Sequence, residues 1–255
     1  MLVKRDINRD DAYWNLYLHT QEARITKFRN AFNEANVKHG INDEKTQTFL
    51  MHLYNLYTEK FYALYSAGAD TKKLCGEFEH ILLTAADQQT LTYNMLQWLL
   101  SVSILLRYEI NKSGLVDKLW KKTNDGFAGT DEDIVYNCAD DIWLNVLVSY
   151  IQQKASIVED KRILFDETET LVHGELVSSL LKLTSLEEKA VLIKKHMEHW
   201  YNTNKGRPWY DHHKRKDPVY VGYWAFECAA LAKIHGISSI HLKDIKYFPS
   251  DLLPT

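Results

Sequence analysis

A lone acid inside an apolar stretch is the first place to look for chemistry in this chain. The segment YVGYWAFECAALAKIHGI, residues 220–237, is nearly free of charge, yet Glu227 sits in its middle. A carboxylate held away from water must be paired, hydrogen-bonded or protonated, and a raised pKa is one way to make a general acid or base. Two histidines stand upstream, His196 and His199 in KKHMEHWY, at a spacing that puts both imidazoles on one helical face. His212 and His213 follow in the next loop. Together these residues suit a helical hydrolase built on Glu227 and nearby histidines, with or without a metal. The companions of such chemistry are absent from the sequence: no H-E-x-x-H, no paired C-x-x-C, no G-x-S-x-G and no Gly-rich phosphate loop. One acid without a motif-spaced second group does not make a reaction. Glu227 is therefore expected to be structural, bonded to a Tyr, Trp, Arg or backbone amide, with no catalytic residue, metal or other cofactor in the protein.

Charge is unevenly spread around a formal net of −3. Residues 131–169 carry ten acids, among them Asp140, Asp141, Asp166, Glu167 and Glu169, against only Lys154, Lys161 and Arg162. Solvated helix faces and acids complementing helix N-termini account for such a pattern. So does an acidic docking surface, which steers a basic partner and matches a cleft lined by lysines and arginines. Residues 205–216 are basic, with Lys205, Arg207, Lys214, Arg215 and Lys216 around Trp209 and Tyr210. Cations interleaved with aromatics can hold single-stranded nucleic acid. One short patch on a mildly acidic protein instead favours a solvated loop whose aromatics pin it to the core, so no direct nucleic-acid partner is expected.

The elements that must position these groups are helices. Only 10 Gly and 4 Pro occur in 255 residues, which favours long helices over many-turned β architecture. A first helix is expected from about Asp10 to Val37, ended by His39–Gly40, and a second from about Asn42 to Ser66, stopped by the AGAD turn. Thr71 is placed to cap a third. An apolar fourth, from about Gln88 to Asn111, suits the centre of the first half. NDGFAGT, residues 124–130, divides the chain into domains 1–126 and 127–255. Thr130–Asp133 and Ser185–Glu188 both resemble capping boxes, the latter opening a helix through Tyr201. NTNKGRPWYDHHKRKD, residues 202–217, is the longest loop, and Asp217 with Pro218 suits the start of the next helix, stopped by Gly236. On that helix Tyr220, Trp224, Glu227, Leu231 and Ile234 share a stripe.

Cys75, Cys138 and Cys228 are odd in number, far apart and set in or beside apolar segments, which points to buried free thiols in a reducing compartment. The N-terminal MLVKRDINRDDAYW has no apolar signal core, and MLQWLLSVSILL at 95–106 is too short to span a bilayer. A cytoplasmic protein without a membrane partner is the expectation.

Several of these residues form a recognisable series: Trp200–Tyr201, then Y-x-G-Y-W-x-F-E at Tyr220–Glu227, then A-A-L-A-K-I-H-G-I, then Y-F-P-S-D-L at Tyr247–Leu252. The series resembles the C-terminal domain of the PoNi family, immunity proteins against PoNe-type DNase toxins. L-Y-S-A-G-A-D at Leu64–Asp70 resembles the matching part of that family's N-terminal domain. The resemblance implies an all-α, two-part helical bundle, an N-terminal helical domain packed on a C-terminal one. It also implies a non-catalytic role in interbacterial competition, binding and neutralising a cognate DNase toxin. Tyr220, Gly222, Tyr223, Trp224, Glu227 and Pro249 then identify the fold. The toxin-binding residues expected from charge are Asp140, Asp141, Asp166, Glu167 and Glu169, with homodimerisation left open.

Overall fold

The structure, a computed structural model, describes residues 4–110, 114–125, 141–153 and 170–255. The fold is all-α, as expected, and no strand occurs among the described residues. The chain forms two compact units: Met1–Gln89 with Arg207–Tyr223, and Thr90–Gly206 with Trp224–Thr255.

In the first unit α1 (Asp11–His39), α2 (Glu44–Ser66) and α3 (Thr71–Asp87) pack in sequence order, α2 touching both neighbours. α1 buries Trp14, Tyr17, Gln21 and Ile25, a single stripe at intervals of three and four. α2 has partners on two sides and buries Leu50, Leu53, Leu56, Tyr57, Phe61 and Leu64. Local sequence sets the ends: Asp10 and Asp43 cap α1 and α2 with their side chains, and Gly40 leaves α1 at φ +84°, where residues with a Cβ are strained. Asp70, one residue before the expected Thr71, caps α3 by accepting from the Lys73 amide. Lys60 of α2 ties the three helices, its Nζ 2.7 Å from Glu22 of α1 and 2.8 Å from Glu77 of α3.

In the second unit α4 (Tyr93–Leu106) packs on α9 (Phe226–Ile234), α6 (Ile142–Gln152) and α5 (Leu115–Asp125). α7 (Thr170–Lys182) and α8 (Leu186–Thr203) complete the unit, with 3-10 turns at Ser239–Leu242 and Ser250–Leu252. α4 is shorter than expected because Thr92 caps it, but it is central as expected, with nearly every residue buried. Its serines satisfy themselves inside the helix, Ser101 donating to Gln97 O and Ser103 to Leu100 O, both at 2.7 Å. α8 opens at the Ser185 cap, which accepts from the Glu188 amide. The capping pattern at Thr130–Asp133 lies outside the described residues. Among the described residues no helix is long and apolar enough to cross a membrane.

The helix expected from Asp217–Pro218 does not form there. Residues 218–225 are non-helical and α9 opens only at Phe226. The backbone groups a helix would pair are taken by first-unit side chains: Tyr13 Oη accepts from the Tyr220 amide at 3.0 Å and donates to Tyr220 O at 2.8 Å, and Ser66 Oγ donates to Val221 O at 2.7 Å. Gly222 at φ +102° then turns the chain out of any helical path. Tyr220 and Trp224 thus do not share a helix with Glu227, and the expected stripe shrinks to Glu227, Leu231 and Ile234. Gly236 ends α9 as expected, at φ +72°. The thiols also need a correction: Cys228 is free and buried, Cys75 is free but only half-buried, and Cys138 lies outside the described residues.

Candidate functional site

The Y-x-G-Y-W-x-F-E segment straddles the two units: Tyr220–Tyr223 belongs to the first and Trp224–Glu227 to the second. In the first unit Tyr220 is fully buried, donates its hydroxyl hydrogen bond to the Asp6 carboxylate and accepts from Asn8 Nδ2 at 2.9 Å. Burial, and then the Asp6 charge, push the Tyr220 phenol far above its ordinary pKa, so it stays a neutral donor. Tyr223 Oη accepts from the His213 amide at 3.0 Å and lies 2.9 Å from His213 Nδ1. Sequence reading missed Asp6, Asn8 and Tyr13 as the partners of this motif, because more than 200 residues separate them from it.

In the second unit Glu227 is half-buried in the first turn of α9 and accepts from Trp200 Nε1 at 3.2 Å. The Trp200 ring packs 6.0 Å from Tyr247, and Tyr247 packs 5.2 Å from Tyr201. The indole partner is one of the groups expected to satisfy this acid. Pro249 is buried and precedes the last 3-10 turn. Beside this cluster lies an open groove of about 460 Å³ lined by Lys194, Met197, Tyr201, Asn202, Lys246 and Tyr247, with Glu198 and Ile245; Glu227 is not among its lining residues.

The histidines separate. His196 is half-buried, and burial, aided by His199, holds its pKa down to about 4. Burial and then the neighbouring Lys189 hold His235 at about 4 as well, with Lys189 Nζ 3.3 Å from its Nδ1. Imidazoles that titrate so low are neutral at pH 7 and far from the value that suits a general base. His213 belongs to the first unit, against Tyr223. Among the described residues no three His, Cys, Asp or Glu side chains gather as metal ligands would.

Of the five acids expected on a docking face, Asp140, Asp166, Glu167 and Glu169 lie outside the described residues. Asp141 is described, and it is buried. Its Oδ1 caps α6 by accepting from the Leu144 amide at 2.8 Å and also accepts from Tyr93 Oη at 3.0 Å. Its position just before the apolar run IWLNVL is the local signal of that cap.

Two family models together span most of the chain: PoNe immunity protein (PoNi), N-terminal, over residues 5–116, and PoNe immunity proteins (PoNi), C-terminal, over residues 139–252. The chain belongs to the PoNi family. No curated protein and no solved structure matches it. The resemblance read from Leu64–Asp70, Tyr220–Glu227 and Tyr247–Leu252 is thereby borne out, each stretch lying inside a matched range. Within this PoNi protein, Tyr220, Tyr223 and Glu227 each have internal hydrogen-bond partners.

Proposed function

We propose that this PoNi protein binds a cognate PoNe-type DNase toxin and neutralises it in the cytoplasm, with no catalytic step of its own. The observation that carries the reading is the match of both family halves, over residues 5–116 and 139–252. The side chains that first suggested catalysis support it: Glu227 is bonded to a buried indole and His196 is held neutral by burial. A nuclease must carry a cationic cleft for phosphates, and an inhibitor rich in carboxylates can cover it without touching nucleic acid or membrane. In this proposal Asp140, Asp166, Glu167 and Glu169 contact the toxin, while the buried Asp141 caps the start of α6. Charge reversal at the four would slow association more than it speeds dissociation.

Co-expression with the nuclease encoded by the adjoining gene tests the reading. Growth and intact genomic DNA are expected with the full chain present, and loss of both without it. A purified chain that forms no complex with that nuclease and leaves it fully active overturns the proposal.

A further inference from the structure

The loop at 207–217 carries the basic patch noted in the sequence, and the fold does something specific with it. Residues 207–223 are built into the first unit. Arg9 donates from Nη2 to His213 O at 2.8 Å and to Arg215 O at 3.4 Å. Tyr223 holds His213 on one side and packs 5.4 Å from Trp209 on the other. Asp211 sits at φ +62°, an uncommon state for a residue with a Cβ, and its carboxylate holds Lys214 Nζ at 2.9 Å. The loop is thus set in one conformation before any partner arrives, which removes part of the ordering cost of binding.

What it presents is chemically mixed. Lys214, Arg215 and Lys216 are exposed, and Trp209, Tyr210 and His212 are half-exposed. Two of the three cations carry an aspartate of their own, Lys214 on Asp211 and Arg215 on Asp217. A phosphate backbone offers one sign of charge at a regular interval and is matched by unopposed cations. Alternating signs around tryptophan, tyrosine and arginine match instead a protein interface, where those three residue types dominate the binding energy. Exposed ion pairs contribute about 0–1 kcal/mol, so each cation can exchange its own aspartate for a partner carboxylate at little cost.

We propose that the 207–217 loop is a preformed docking element for the nuclease, with Trp209 and Tyr210 as aromatic anchors and Arg215 and Lys216 engaging carboxylates on that protein. This rests on the reading that the chain binds the nuclease. It adds a contact separate from the acidic segment and of opposite sign.

The test is the affinity of the full chain for the catalytically inactivated nuclease of the adjoining gene, measured by calorimetry. Arg215→Glu with Lys216→Glu is expected to weaken binding about tenfold or more while the unfolding midpoint stays in place. Tyr210→Ala, which leaves both ion pairs intact, is expected to weaken it similarly and serves as the second variant should the reversal shift the midpoint. Lys45→Glu, an exposed cation of α2, should bind as the wild type does. If wild-type chain binds and both loop variants bind equally well, the loop assignment is wrong and the immunity reading stands. Failure of the wild type itself removes both. Loop variants that keep nuclease affinity but lose an affinity of the wild type for single-stranded DNA reassign the loop to nucleic acid and overturn the proposal.

Discussion

Replacing Lys233 by methionine should abolish a pH dependence of stability that the fold builds into α9. Lys233 is buried, and its Nζ donates to Leu105 O, one of the last carbonyls of α4, at 2.8 Å. Burial, and then the positive charge of Arg107, pull its pKa from an ordinary 10.5 down to about 8. The folded protein therefore binds this proton less tightly than the unfolded chain does, so unfolding takes up protons and stability rises with pH between about 8 and 10.5. The full shift corresponds to about 3 kcal/mol, of which about 1.4 kcal/mol is expressed between about pH 7 and about pH 9. Methionine keeps most of the volume and carries no proton. It leaves Leu105 O without its lysine donor, a cost of about 1–3 kcal/mol, and relieves a buried charge at pH 7 worth about as much. The variant should thus lie close to wild type at neutral pH and fall behind by about 1.4 kcal/mol at about pH 9. Urea unfolding of both proteins across that range measures it, and taking their difference at each pH cancels the tyrosines and other groups that titrate alike in both. Parallel pH profiles for the two proteins would refute the argument.

Glu227→Gln keeps an acceptor for the Trp200 indole and should retain toxin neutralisation, whereas Glu227→Leu removes this acceptor from the buried N–H and should lower stability by about 1–2 kcal/mol in chemical denaturation. A well-folded Gln variant that no longer protects cells would count against a purely structural Glu227. Asp141→Ala removes the α6 cap and leaves Tyr93 Oη without this acceptor, so a loss of about 2–3 kcal/mol is expected. An unchanged unfolding midpoint in that variant would mean the carboxylate is not holding α6.

Most helix positions in the first unit were readable because their causes are local. Asp10, Asp43 and Ser185 each accept from an amide two or three residues on, and Gly40 and Gly236 each supply a backbone state that other residues avoid. A short window of sequence contains every group involved. The satisfied state of Glu227 was legible for a related reason. An acid in an apolar helix needs a partner, although its being Trp200, 27 residues away, was not written in the spacing.

What the sequence by itself determined, then, is an all-α chain of the PoNi family with most of its helices, since backbone propensity and capping act over a few residues. Only the tertiary structure decided that residues 218–225 are non-helical, that the basic loop belongs to the first unit, and that Asp141 is buried. Each of these outcomes turns on a group far along the chain: Tyr13 and Asp6 for Tyr220, Arg9 for the loop, Tyr93 for Asp141. A helix-compatible sequence gives up its own hydrogen bonds when distant side chains offer equivalent ones together with burial, and no local pattern records that exchange.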